Sequence, residues 1–178
     1  MHNEALRHRK AALKIAQKVL PAAHPSLADC HASLGNTCRD LGNHAEALRH
    51  QEAAQRILVK VCPPDHPILA HGEGNLAITC SRMGNHADAL AHQKVAQAME
   101  AKTLPSDHPD VGLRFYNVGN THGMMGNHAE ALVQFRKAEA ILEVALPPGH
   151  PHLLSVQQNM ETAEDELTKK DGADGKIV

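Results

Sequence analysis

The chain has 178 residues, with 18 Lys and Arg against 20 Asp and Glu and a formal charge of −2. That balance excludes a nucleic-acid partner held by bulk phosphate neutralisation, and the 42% apolar content is too high for a disordered tail. Aromatic residues are only Phe115, Tyr116 and Phe135, whereas alanines number 27, so the composition predicts an all-α chain with an aliphatic core.

The first 20 residues read as a helix. Met1 to Lys10 lacks the apolar region of a signal peptide, and no run approaches the ~18 apolar residues of a membrane span. The expectation is a soluble, cytoplasmic protein with no membrane partner. His24-Pro25 then opens a pattern that returns at His66-Pro67, His108-Pro109 and His150-Pro151, always 42 residues on. Gly42-Asn43-His44, Gly84-Asn85-His86 and Gly126-Asn127-His128 keep the same interval, and His2, Glu4, Ala5 and Leu6 fall in register with His44, Glu46, Ala47 and Leu48. A fixed period of this length is the mark of a repeat array.

All ten prolines lie in 21–25, 63–67, 105–109 and 147–151. Pro at the first helical position sacrifices no intrahelical hydrogen bond, so Pro25, Pro67, Pro109 and Pro151 are placed to open helices. Each leading helix runs about 16 residues, to a glycine stop at Gly42, Gly84 or Gly126. Asn43, Asn85 and Asn127, each followed three positions on by Glu46, Asp88 or Glu130, are expected to cap a second helix ending near Cys62, Leu104 or Leu146. In the third unit Ala131, Leu132, Phe135, Ala138, Ile141, Leu142, Ala145 and Leu146 form one apolar stripe. The chain thus divides into a half repeat 1–24, repeats 25–66, 67–108 and 109–150, a terminal helix 151–168 and a flexible tail 169–178. Each unit is a helix hairpin whose stripe is buried only by stacking on its neighbours.

The 42-residue period, Asp65-His66-Pro67 and Asp107-His108-Pro109, Asn75-Leu76-Ala77, and the Gly-x-x-x-x-Ala turn resemble tetratricopeptide repeats of the kinesin light chain type. The small residues Gly35, Ala77 and Gly119, then Ala47, Ala89 and Ala131, then Ala54, Ala96 and Ala138, match that motif over residues 1–168. The resemblance implies a right-handed superhelix of antiparallel hairpins, with leading helices on the concave surface and second helices behind. It departs from the family at His44, His86, His128, Gln51 and Gln93, where an aromatic is usual, which predicts looser packing. The heptad segment by which kinesin light chains pair with the motor is absent, so a motor role is not carried over.

Ser33, Asn75, Asn117 and Asn159 occupy one register of the leading helices. An asparagine amide offers two donors and an acceptor, enough to hold the backbone of an extended peptide. In kinesin light chains equivalent asparagines hold cargo peptides, and the matching positions are Asn75, Asn117 and Asn159. The same helices should present Arg39, His71, Arg82, Leu113, Arg114 and Tyr116, the arginines suiting an acidic residue. The function expected is a non-catalytic adaptor that binds a short segment of a partner protein in the groove. A clamp for chaperone tails is disfavoured by Ala32, Leu113 and Asn117, which stand where it needs Lys and Arg.

No catalytic grouping stands in a strand–turn–helix context, and Gly72-x-Gly74 falls inside a predicted helix, so neither enzyme activity nor a cofactor is expected. Cys30, Cys38, Cys62 and Cys80 contain no CxxC pair, and Cys38, Cys62 and Cys80 read as small packing residues. No two of the 15 histidines are three or four apart, so helical zinc pairs do not form. The His before each Pro reads as a cap or loop terminator. Two other readings are a self-assembling segment, which docks through an exposed Leu6, Leu13 and Ile15 strip, and a His-rich metal or pH-responsive binder. At the far end, Glu161, Glu164, Asp165 and Glu166 give the last helix the polar face of a cap.

Overall fold

A computed structural model describes residues 2–174, with the side chains of residues 4–170. Among the described residues there are eight helices and no strand: α1 (His2–Val19), α2 (Pro25–Asp40), α3 (His44–Val61), α4 (Pro67–Arg82), α5 (His86–Thr103), α6 (Pro109–Met124), α7 (His128–Ala145) and α8 (Pro151–Asp174). The chain is an all-α array of antiparallel hairpins, as the period requires. It forms two compact units, Met1–Thr103 with α1–α5 and Leu104–Val178 with α6–α8.

The punctuation works as the residues dictate. Gly42, Gly84 and Gly126 take φ of 78°, 80° and 75°, which an L side chain adopts only with strain, and each ends a leading helix. The N–H of Asn43 then reaches Cys38 O at 2.8 Å, closing the turn on the last helical carbonyls. The leading helices start on histidine: Nδ1 of His24, His66, His108 and His150 accepts the N–H two residues on, at 3.1–3.2 Å. An imidazole lone pair thereby does what Ser or Asp does at most helix starts.

Two local expectations are corrected. Asn43 and Asn127 sit at N-cap positions but make no side-chain cap bond, so the capping boxes do not form there. The glycine turn already folds their backbone into the helix start, and Ala47 N–H bonds Asn43 O at 3.0 Å. The helix expected to stop at residue 168 runs on as α8 to Asp174. Glu166, Leu167, Lys169 and Lys170 are good helix formers, an (i,i+3) Lys169–Glu166 pair at 2.6 Å adds support, and one glycine at 172 costs only ~1 kcal/mol. The tail's remaining residues, 175–178, lie outside the described ones.

In the first unit Leu13, Leu27 and Leu34 form one cluster, and Ala28, Ala54, Leu58 and Leu69 a second. Leu6 and Leu13 therefore do not form the exposed strip expected of α1, because they pack on α2; the exposed large apolar side chains of α1 are Ile15 and Val19. In the second unit Leu132, Phe135, Leu142, Leu153 and Val156 pack together, with Leu113, Phe115 and Tyr116 at the margin. Glycine lets the helices of a hairpin approach closely: a Cβ on Gly119 would lie 2.6 Å from Cδ1 of Phe135, and one on Gly35 2.7 Å from Cγ of Gln51.

Where the motif expects bulk at residue 51, polar bonding replaces it. Gln51 is buried and its Oε1 accepts the hydroxyl of Thr79 at 2.7 Å, joining α3 to α4. Cys38 and Cys80 are buried as expected, and burial pushes both thiols above their ordinary range.

Candidate functional site

In the first unit, α2, α3 and α4 enclose a cavity of about 180 Å³. Ala28, Ala32, Ala54, Leu58 and Ile68 give it apolar walls, and Asn36, Gln55, His71 and Asn75 line it with polar groups. Gln55 decides its chemistry. Its Nε2 donates to Leu69 O at 3.1 Å and to Glu73 Oε1 at 2.9 Å, and these two acceptors fix the amide's orientation. Oε1 is then left buried without a hydrogen-bond partner, a state disfavoured unless something supplies a donor. It faces Gly72, where a Cβ would collide with Oε1 and come within 3.0 Å of Cδ.

Asn75 and Arg39 meet across α2 and α4, with Arg39 Nη1 donating to Asn75 Oδ1 at 3.2 Å. That bond consumes an acceptor lone pair but leaves both amide N–H donors of Asn75 for another group. Arg82 ends α4 and is exposed. Burial chiefly lowers the Arg39 pKa; Asp40 raises it in opposition, and Arg82 lowers it further. Two guanidinium groups therefore share one neighbourhood.

In the second unit, α6, α7 and α8 enclose about 400 Å³, lined by Asn120, Met124, His128, Phe135, Asn159 and Thr162. Asn159 Nδ2 donates to Asn120 Oδ1 at 2.7 Å and to Tyr116 Oη at 3.2 Å, so its donors are engaged within the unit. The cavity exists because Gly123 stands in the register of Arg39, and a Cβ there would meet nothing within 4 Å. Leu113 is half-buried against the core, and Tyr116 tilts against Phe135 with ring centroids 5.9 Å apart. Arg114 and Asn117 are half-buried on α6, outside the cavity lining.

Of the residues expected at a groove, the structure places His71 and Asn75 in the lining of one cavity, with Arg39 bonded to Asn75, and Asn159 in the lining of the other, bonded to Tyr116. Gln55, Asn36 and Asn120 were not foreseen. Asn36 and Asn120 share a second register, three residues beyond Ser33 and Asn117, with Ile78 at the intervening step of the same 42-residue alignment. A third register is also regular: the hydroxyls of Thr37, Thr79 and Thr121 lie 2.9–3.1 Å from the carbonyl four residues back, that of Ser33, Asn75 or Asn117, although the single proton of Thr79 goes to Gln51 Oε1, the shorter contact at 2.7 Å.

The outer part of each first-unit hairpin holds a titrating pair. His31 and His50 bring their Nδ1 atoms to 2.9 Å. Burial foremost lowers both pKa values; His50 and Arg56 add to this at His31, and at His50 the opposing pull of Glu46 is countered by Lys10 and Arg49. One repeat on, His92 Nδ1 lies 2.7 Å from Glu73 Oε2, and that hydrogen bond raises the His92 pKa against burial. A raised value stabilises the fold fully below pH 6.5, and the gain is lost as pH climbs through the folded-state value. The lowered pair works oppositely: its contribution is present above 6.5 and lost on acidification. Thermal melts against pH should show His92→Gln losing the alkaline-side decline, while His31→Gln flattens the acid-side one.

The hairpin fold, the 42-residue punctuation and the small-residue registers define a repeat array, and the tetratricopeptide repeat model matches residues 1–58, 31–100 and 70–143. The chain belongs to the tetratricopeptide repeat family. Among solved structures it is similar to a protein of Podosopora anserina provisionally named a kinesin light chain, with nearly identical TPR-like repeats. That likeness has 24% identity over 98% of this chain and 82% of that one, with a TM-score of 0.78. It is also similar to BtubC (BKLC) from P. vanneervenii, at 18% identity over 99% and 70% and a TM-score of 0.80. A third is a Rap protein complexed with Competence and Sporulation Factor, at 18% identity over 94% and 45% and a TM-score of 0.75. No curated protein sequence matches the chain. No described helix is long and apolar enough to cross a membrane, and no described group of three or more His, Cys, Asp or Glu could hold a metal ion.

Proposed function

We propose that the protein is a non-catalytic, cytoplasmic adaptor whose leading helices bind a short segment of a partner protein. The observation that supports this most is the cavity of the first unit, where the buried Oε1 of Gln55 lacks a donor beside Asn75, Asn36 and His71. A peptide meets each need: a backbone N–H for Gln55, a carbonyl for the Asn75 amide, and a modest apolar side chain between Ala28, Ala32 and Ile68. Arg39, bonded to Asn75, and Arg82, close enough to lower the Arg39 pKa, favour an acidic residue at that end of the segment, away from Asp29 in the lining. In the second unit Asn117 and Asn159 hold the register of Asn75, with Leu113, Arg114 and Tyr116 on the same helix as Asn117; there a segment would have to displace the Asn159 bonds to Asn120 and Tyr116 or use its carbonyl oxygen. The Rap structure, which holds the Competence and Sporulation Factor, shows the same fold carrying a bound factor.

Selection of short random peptides on the 178-residue protein tests this reading. Enriched sequences should pair an acidic residue with an apolar one, and Asn75→Ala should weaken the best binder roughly tenfold, the worth of one to two hydrogen bonds. Enrichment without acidic bias, or affinity untouched by Asn75→Ala combined with Asn117→Ala, overturns it.

A further inference from the structure

Two opposite charges, one in the lining of the first-unit cavity and one beyond it at the end of α4, have no partner in the protein. Asp29 belongs to the lining, is exposed, and makes no hydrogen bond or ion pair among the described residues. Arg82 is likewise exposed and unpaired among them, and lies close enough to Arg39 to lower its pKa. Resting on the segment-binding reading above, we infer that the occupant of this cavity is an extended protein segment with a basic residue over Asp29, an apolar residue two positions along inside the cavity, and an acidic residue two further on at Arg39 and Arg82.

The charges fall at opposite ends because α2 and α4, both leading helices, run the same way. Asp29 and His71 lie early in them, and Asn36 and Asn75 further along, where Arg39 Nη1 donates to Asn75 Oδ1. Asp40 approaches Arg39 Nε at 4.0 Å and offsets one positive charge there, so Arg82 leaves that end net positive. The carboxylate bonded to the cavity's amide, Glu73, is already committed. Its Oε1 accepts Gln55 Nε2 at 2.9 Å and its Oε2 lies 2.7 Å from His92 Nδ1. Asp29 is therefore the anionic group on offer to a ligand. Between the two ends lie the aliphatic wall and the orphaned Oε1 of Gln55.

Helix geometry sets the spacing. Asp29 and Arg39 are ten residues apart on α2, about 15 Å along its axis. Helical side chains lean toward the N-terminus, which carries the long Arg39 side chain back to Asn75 and shortens that distance. An extended chain advances about 13 Å in four residues and turns every second side chain to the same face. Positions i, i+2 and i+4 thus set a cation on Asp29, an apolar group between Ala28, Ala32 and Ile68, and a carboxylate at the guanidinium groups. The peptide groups between them supply an N–H to Gln55 Oε1 and a carbonyl to Asn75. A like charge at either end is repelled, so the same two ends that attract one segment reject its charge-reversed counterpart.

Fluorescence anisotropy with labelled peptides tests this. Peptides enriched on the parent protein should carry Lys or Arg four residues from Asp or Glu, with an apolar residue midway. Synthesising the pattern in both chain directions shows which order the cavity takes, and one of them should bind at least tenfold more tightly than a scrambled peptide of the same composition. Asp29→Lys should weaken that peptide roughly fivefold, and exchanging the peptide's basic residue for Glu should restore affinity on Asp29→Lys. Glu143→Lys, the same change in net charge at an exposed position of α7, should leave affinity within twofold. Asp29 is exposed, so Asp29→Lys should keep the parent's helicity and melting midpoint. If it does not, Ala in place of the peptide's basic residue decides on the parent protein, with an expected loss of about threefold. Peptides that lose affinity on Asn75→Ala but carry no such basic residue, or bind Asp29→Lys unchanged, overturn this inference and leave the adaptor reading standing. So does a pattern that in neither direction exceeds its scrambled control. Peptides indifferent to Asn75→Ala combined with Asn117→Ala overturn both.

Discussion

Phe135→Ala is expected to destabilise the second unit by about 3–5 kcal/mol, the cost of deleting a buried aromatic ring from a packed core. The ring is 2% exposed and fills the space left by Gly119 on α6, so its removal opens a void that backbone on one side cannot fill. It also leaves Tyr116 without its aromatic neighbour and Asn159 beside a hole. Thermal unfolding should show a midpoint roughly 10 °C lower. The polar equivalent in the first unit behaves differently, because Gln51 packs over Gly35 with a smaller side chain and bonds Thr79 as well. A melting change below about 1 °C would mean that the ring is not packed as described.

Gly72→Leu is the second large effect, and it acts on stability and binding together. The new Cβ displaces the Gln55 amide, breaking its bonds to Leu69 O and Glu73. Stranding those groups costs about 1–3 kcal/mol, and crowding adds a similar amount, partly offset by up to ~1 kcal/mol from removing a helical glycine. The leucine side chain also occupies the cavity of the first unit, so peptides selected on the parent protein should lose measurable binding. Gly74→Ala, two residues on in the same helix, is the comparison. Retained binding by Gly72→Leu would move the peptide site away from this cavity.

The architecture was legible because period, proline and glycine are backbone instructions. Pro25, Pro67 and Pro109 can open a helix but not continue one, and Gly42, Gly84 and Gly126 accept a left-handed turn, so sequence spacing translated directly into element boundaries. The same period aligns Asn75, Asn117 and Asn159, but the spacing alone does not say that Asn75 and Asn159 line cavities while Asn117 does not. Asn43 and Asn127 misled because the same residue type suits a capped helix and a glycine-closed turn, and only the local backbone angles choose between them. Gln55 was hidden because a glutamine on an otherwise apolar face gives no sign of whether its amide is exposed, paired or half satisfied. That depends on Gly72 of the next repeat admitting the amide and on Glu73 fixing its direction. Leu6 and Leu13 were assigned to the wrong face because a second helix has two neighbours: α1 still packs on α2.

The threonine register has a wider meaning. The hydroxyls of Thr37 and Thr121 occupy the spare lone pair on the main chain of Ser33 and Asn117, so an incoming strand finds no free main-chain acceptor at those steps. For a segment bound as proposed, selection at those steps falls to side chains, and exchanging a few outward positions is expected to change the segment chosen while the frame is kept.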